Sequence, residues 1–134
     1  MSFEDFSNSS TDDIQPLILA VDDNEDNLQL ISQLLVIMSC CFITAKDGKE
    51  ALSMAENYQP KLILLDMMLP DLSGIEVTNY LKQNPQTKAI PIVAVTAMAR
   101  VEDKERFVKA GCDDCVTKPY AIDELEAIIR RYVS

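Results

Sequence analysis

The stretch "LILLDMMLP", residues 62–70, decides the architecture. Four aliphatic residues in succession run directly into Asp66. An apolar run without alternation reads as a strand covered on both faces, as strands of a parallel sheet are. A carboxylate at the end of such a strand is costly unless it reaches water, a cation or hydrogen-bond donors. Asp66 is therefore either an incidental strand terminus or the centre of a site, and the ends of the other strands discriminate between the two.

The pattern repeats along the chain. "LILAVD" (17–22) reads as a strand, followed by a helical stretch in which Leu28, Ile31, Leu35 and Met38 recur at helical spacing. "CCFITA" (40–45) is a second strand, and "DGKEALSMAENYQ" a second helix after a turn at Asp47-Gly48. "KLILLD" (61–66) is the third strand, followed by a loop from Pro70 to Gly74 and the helix "IEVTNYLKQ". "IPIVAVT" (90–96) is the fourth, then the helix "RVEDKERFVKAG", for which Gly111 is the C-cap. "CVTK" (115–118) is a short fifth strand. Pro119 and a closing helix "IDELEAIIRRYV" follow, with Ile122, Leu125, Ile128, Ile129 and Tyr132 turned inward. Five strands alternating with five helices predict an α/β fold, a doubly wound parallel sheet with right-handed crossovers. Ligands of such folds bind outside the carboxyl ends of the strands.

Those ends carry chemistry. Strand one ends in Asp22 and Asp23, strand three in Asp66, strand four in Thr96 and strand five in Lys118. Any one of these alone is an ordinary solvated terminus; five functional side chains at four ends of one sheet edge are a site. Three carboxylates against one ammonium leave two uncompensated negative charges, which a divalent cation would neutralise. Clustered carboxylates otherwise repel and raise one another's pKa. Oxygen ligands of this kind suit Mg²⁺. Asp66 could then act as a carboxylate nucleophile toward phosphorus. Thr96 and Lys118 would hold the oxygens of the transferred group.

Composition narrows the alternatives. The 134 residues suit one domain, and 48% apolar residues suffice for its core. The 12 basic and 22 acidic residues give a net charge of −10, which argues against direct nucleic-acid binding. No apolar run approaches the ~20 residues of a membrane span. The polar, acidic leader at residues 1–15 lacks the features of a signal peptide, so a cytoplasmic protein with a flexible leader and a domain over 16–134 is expected. The chain contains no histidine, so any phosphohistidine donor must sit on another molecule. Cys40, Cys41, Cys112 and Cys115 read as free thiols in a reducing compartment. The spacing Cys112-Asp-Asp-Cys115 alone is weak evidence for a redox or zinc site.

The pieces "VDDNEDN", "LLDMMLPDLSG", "VTAMA" and "DDCVTKPY", in this order and spacing, resemble the response-regulator receiver domain, the CheY-like phosphoacceptor of two-component signalling. The resemblance covers Leu17 to Ser134. It implies the flavodoxin-like strand order 2-1-3-4-5, Asp66 as phosphoacceptor and Mg²⁺ as cofactor. Asp23 would be a direct ligand, Asp22 would act mainly through water, and the Met68 carbonyl would complete the protein ligands. Thr96 and Lys118 would bind the phosphoryl group, with the Lys118–Pro119 bond cis. A sensor histidine kinase or phosphotransfer protein would dock near the first helix. The surface of the fourth helix, fifth strand and fifth helix would be the output or homodimer face, where Arg100, Lys104, Arg106, Arg130, Arg131, Asp123 and Glu126 lie.

Cys115 departs from the family, which commonly has Tyr or Phe there and couples its rotation to the threonine. Met68 and Met98, two residues beyond the acceptor and the threonine, offer no hydrogen bond to an attacking water, and slow self-dephosphorylation is expected. Tyr120 is read as a packing residue. Three other classes find less support in the residues. A haloacid-dehalogenase-type phosphatase needs a second acid where Met68 stands. A nucleotide-binding Rossmann domain needs glycines that a chain with three in all does not provide. The remaining alternative is a redox-sensitive or phosphorylation-independent interaction module using Cys112 and Cys115.

Overall fold

The computed structural model describes residues 16–98 and 100–133. The leader expected over residues 1–15 lies outside the described residues. Five strands, β1 (Leu17–Val21), β2 (Cys41–Ala45), β3 (Leu62–Leu65), β4 (Ile92–Thr96) and β5 (Asp114–Thr117), alternate with five helices. These are α1 (Glu25–Ile37), α2 (Gly48–Tyr58), α3 (Gly74–Gln83), α4 (Val101–Ala110) and α5 (Ile122–Val133). All strand pairs are parallel, and the order is β2-β1-β3-β4-β5, as expected.

Two cores explain the unbroken apolar runs. Successive side chains of a strand point to opposite faces. Ile18 and Ala20 of β1, with Leu62 and Leu64 of β3, join Leu28, Ile31, Leu34 and Leu35 of α1 and Leu125, Ile128 and Ile129 of α5. Leu19 and Val21, with Ile63 and Leu65, join Ala51 and Ala55 of α2, Val77 and Leu81 of α3 and Phe107 of α4. The residues of β3 and β4, at the middle of the sheet, are therefore buried on both faces. The small Ala51 and Ala55 let α2 approach closely, and Phe107 fills the wider space under α4.

Local chemistry sets the helix starts. The Asn24 carboxamide accepts from the Asn27 N–H to cap α1, and Asp47 accepts from Glu50 N–H to cap α2. Ser73 and Glu76 form a reciprocal capping box on α3. Gly111 ends α4 at φ +119°, a conformation that favours glycine.

Two readings of the helix faces need correction. Ile122, expected inward, is exposed, because it opens α5 before that helix settles onto the sheet. Leu34, outside the simple periodic list, is buried beside Leu35. The sheet order also places β2 and β5 at opposite edges, so Cys41 and Cys115 are far apart in the fold and a shared four-thiol site is excluded. Among the described residues, no helix is long and apolar enough to cross a membrane.

Candidate functional site

Strand register assembles the site before any side chain is considered. Val21 pairs with Ala45 on one side and Leu65 on the other, so Asp22 and Asp66, each the next residue, leave adjacent strands side by side. The Asp66 N–H donates to the Val21 carbonyl at 3.0 Å and the Asp22 N–H to the Ala45 carbonyl at 3.1 Å, extending the ladder to the two acids. Thr96 pairs with Thr117, and the Lys118 N–H donates to the Thr96 carbonyl at 2.8 Å. Neighbouring strands lie about 4.8 Å apart. A lysine directly after β5 must extend past the end of β4 to meet the acids that follow β3 and β1.

It does so. Lys118 Nζ lies 2.8 Å from Asp22 Oδ2 and 3.3 Å from Asp66 Oδ2. The Lys118–Pro119 bond is cis. Asp22 and Asp66 are 2% and 6% exposed, whereas Asp23 is open to solvent. One oxygen from each of the three carboxylates falls within 4.8 Å of the others. Thr96 is fully buried, and its Oγ1 accepts from the Met98 N–H at 3.2 Å. Met68 donates its backbone N–H to Asp66 Oδ1 at 3.0 Å, while its side chain is exposed. Asp22, Asp23, Asp66 and Lys118 thus converge, and Thr96 ends the strand between β3 and β5.

The electrostatics are those of a crowded anionic pocket. Burial pushes the Asp66 carboxyl above the ordinary range; the Met68 N–H and the Lys118 ammonium pull it back, and Asp22 raises it further. Burial would lower the Lys118 ammonium, but hydrogen bonds and attraction from Asp22 and Asp66 together outweigh it and the net shift is upward. Lys118 is thus held charged, and one cation serves two buried anions. The uncompensated charge and the all-oxygen donor set fit a hard divalent cation at Asp22, Asp23 and Asp66.

Other residues support the site without having been expected there. Asn27 donates from its carboxamide to Asp22 Oδ2 at 3.2 Å, and the Asn24 N–H donates to Asp22 Oδ1 at 2.9 Å. Asp71 accepts from the Gly48 and Lys49 N–H groups at 2.7 and 2.9 Å, tying the loop after Asp66 to the start of α2. Lys46, in the loop after β2, forms an ion pair with Glu25, the first residue of α1. "VDDNEDN" contained both asparagines. Their aim at Asp22 depends on the turn into α1, which spacing alone does not show.

The cysteines stand apart from this chemistry. Cys40 and Cys112 are buried, Cys115 is half-buried against the second core, and no disulfide joins any of the four. Burial pushes the Cys112 thiol up to about 11 and raises Cys40 and Cys115. The thiolate is the nucleophile, so raised values slow alkylation. Under native conditions at pH 7.5, iodoacetamide is expected to label exposed Cys41 first and Cys112 slowest by more than tenfold, read by peptide mass spectrometry. Rapid labelling of Cys112 would mean that the fifth strand opens readily. Several basic residues of the expected output face are engaged within the chain. Arg131 pairs with Asp114 at 2.7 Å, Arg130 with Glu126 at 2.6 Å, and Arg100 and Arg106 flank the buried Asp103.

Known proteins share this sequence pattern and fold. The response regulator receiver domain family matches residues 18–130. The polar-differentiation response regulator DivK of Brucella anthropi is 37% identical over 116 residues, 87% of this chain and 94% of that protein. DivK of Brucella ovis gives the same figures. Chemotaxis response regulator CheY4 of Vibrio cholerae superimposes with a TM-score of 0.83 at 28% identity, over 88% of this chain and 98% of that one. The receiver domain of sensor histidine kinase PA1611 from Pseudomonas aeruginosa has a magnesium ion coordinated in its active-site cleft. It superimposes with a TM-score of 0.82 at 32% identity, over 89% of this chain and 98% of that one. The chain belongs to the response regulator receiver domain family and is a CheY- and DivK-like component of two-component signalling. The thiol-based module is not favoured.

Proposed function

We propose that Asp66 is the phosphoacceptor of this receiver, with Asp22, Asp23, Asp66 and the Met68 carbonyl holding Mg²⁺, and Thr96 and Lys118 holding the phosphoryl group. The observation that carries this reading is the Lys118 ammonium shared between the buried carboxylates of Asp22 and Asp66. The donor is the phosphohistidine of a histidine kinase or phosphotransfer protein, since this chain has no histidine. An Asp66 carboxylate oxygen forms the new bond to phosphorus, the nitrogen–phosphorus bond breaks, and its electron pair stays on the donor imidazole. When bound, Mg²⁺ supplies charge screening between the acids and the incoming anion. Lys118 sits 3.3 Å from Asp66 Oδ2, placed to meet a phosphoryl oxygen as it arrives. Thr96, at the end of the adjacent strand, supplies a hydroxyl that turns toward that group once its bond to the Met98 N–H is given up.

The chain promotes its own phosphorylation and dephosphorylation and turns over no separate substrate. Its place of action is the cytoplasm. Its output is a phosphorylation-dependent contact with a downstream protein through the α4–β5–α5 surface, which also offers a homodimer face. Cys115 takes no part in phosphoryl transfer. Without an aromatic ring there, the switch passes to that surface through movement of the β4–α4 backbone.

The test is intact-mass spectrometry of the full chain incubated with acetyl phosphate. A single phosphoryl adduct that depends on Mg²⁺ and maps to Asp66 is expected. After removal of the donor, the adduct is expected to persist for minutes or longer, because the Met68 and Met98 side chains cannot orient water. No adduct with Mg²⁺ present would overturn the phosphoacceptor role, and decay within seconds would overturn the account of the methionines.

A further inference from the structure

The Asp22 carboxylate is 2% exposed and accepts from three donors. Oδ1 takes the Asn24 N–H at 2.9 Å, and Oδ2 takes both Lys118 Nζ at 2.8 Å and Asn27 Nδ2 at 3.2 Å. Asn27 is the third residue of α1, and its own backbone N–H already serves the Asn24 cap. The cap therefore uses the Asn27 backbone, and the Asn27 carboxamide remains for Asp22. Asn27 and Lys118 both line a groove of about 350 Å³, with Tyr120 and Leu30.

Lys118 is committed in two directions. It lies 0.5 Å nearer to Asp22 than to Asp66. Any phosphoryl group on Asp66 competes for the same ammonium, and three donor hydrogens must then serve more acceptors. As Lys118 moves toward Asp66, the Oδ2 of a buried carboxylate loses its strongest partner. A buried acceptor left without a donor is penalised by its full desolvation cost. Asn27 is the donor that stays. Being neutral, it fixes the position of Oδ2 without adding a second cation to compete with the metal.

We propose that Asn27 is a positioning residue: its carboxamide holds Asp22 in place for the cation while Lys118 transfers its hydrogen bonds to the phosphoryl group on Asp66. This rests on the phosphoacceptor reading above. Hydrogen-bond partners that orient metal-binding carboxylates are worth 10–100-fold in metal affinity or activity. The role therefore predicts an effect on Mg²⁺ binding that can be read without any turnover.

The experiment compares Asn27→Leu, Asn27→Ala and Asn27→Gln in the full chain. Mg²⁺ affinity is measured by NMR titration with MgCl₂, and phosphorylation by acetyl phosphate is followed at saturating Mg²⁺. Asn27→Leu and Asn27→Ala are expected to weaken Mg²⁺ binding about tenfold. They should slow maximal phosphorylation by a similar factor, with the half-saturating acetyl phosphate concentration changed less than twofold. Asn27→Gln, which keeps the donor, is expected to recover most of both. Should Asn27→Leu fail to fold, Asn27→Ala carries the comparison. Mg²⁺ affinity and phosphorylation both within twofold of wild type in a folded Asn27→Ala would overturn the role, leaving Asn27 a residue of the first helical turn. A wild-type chain that takes no phosphoryl group would overturn the phosphoacceptor reading instead, and this role with it.

Discussion

Asp66→Asn is expected to abolish the phosphoryl adduct and, without Mg²⁺, to raise the melting temperature. The first effect follows from chemistry, since a carboxamide is no nucleophile toward phosphorus at neutral pH. The second follows from linkage. The folded protein raises the Asp66 pKa, with burial as the largest cause. An acid raised on folding contributes stability that is fully present below its unfolded pKa, about 3.9. That contribution is lost as pH rises through the folded value, so at pH 7.5 the ionised group is a net cost. Asparagine keeps the shape and the acceptor for the Met68 N–H. It also replaces Oδ2 with a donor that faces the remaining carboxylates, while Lys118 stays on Asp22. The gain should be about 1 kcal/mol, because repulsion between Asp66 and Asp22 is relieved while Lys118 keeps Asp22 as a partner. That corresponds to roughly 3–5 °C for a domain of this size. Calorimetry at pH 7.5 in EDTA checks it. Adding Mg²⁺ should reverse the order, because only the wild type gains fully from binding. At pH 4 the variants should converge as Asp66 becomes protonated. A lower melting temperature for Asp66→Asn in EDTA would show that Lys118 needs both anions more than the pocket needs relief.

The sheet and the candidate acids were legible because they depend on short-range facts. Uninterrupted aliphatic runs at 17–21, 62–65 and 92–95 read as strands covered twice, and each ends on a polar group at the same edge of the sheet. Lys118 was legible by the same logic, although its reach past the end of β4 is a tertiary fact. Asn27 and Asp71 were not. Each is an ordinary residue for its local position, in a helix's first turn and in a polar loop. Their roles come from which backbone or carboxylate the fold brings opposite them. Ile122 failed for the converse reason: its place in the helical repeat points inward, but the first turn of α5 lies beyond the sheet's cover. Periodicity describes a face, and burial depends on what that face meets.

Close approach of backbone is a further feature that sequence does not announce, and Gly74 is where it has the greatest effect. A Cβ placed on Gly74 would lie 2.5 Å from both Met67 Cα and Met67 Sδ. The Gly74 N–H also donates to the Met67 carbonyl at 3.0 Å, so the two segments cannot drift apart without losing that bond. Alanine favours a helix over glycine by up to about 1 kcal/mol, which would stabilise α3 if space allowed. Overpacking against main chain is worth more, typically 1–3 kcal/mol and occasionally above. Gly74→Ala is therefore expected to destabilise the protein by about 2 kcal/mol, a loss of roughly 6–10 °C. Met67 is also the residue after Asp66 and is 3% exposed within the second core, so it can shift only by moving its packed neighbours. Its displacement must reach the acceptor, and phosphorylation by acetyl phosphate should slow about tenfold at temperatures where the variant remains folded. Urea denaturation and the mass-spectrometric assay measure the two effects separately. Adding Met67→Ala separates the causes. It removes the Sδ clash but leaves the Cα clash, so it should restore little of either. Full recovery in the double variant would mean that the constraint lies in the thioether and that the acceptor loop itself tolerates a residue larger than glycine at its exit.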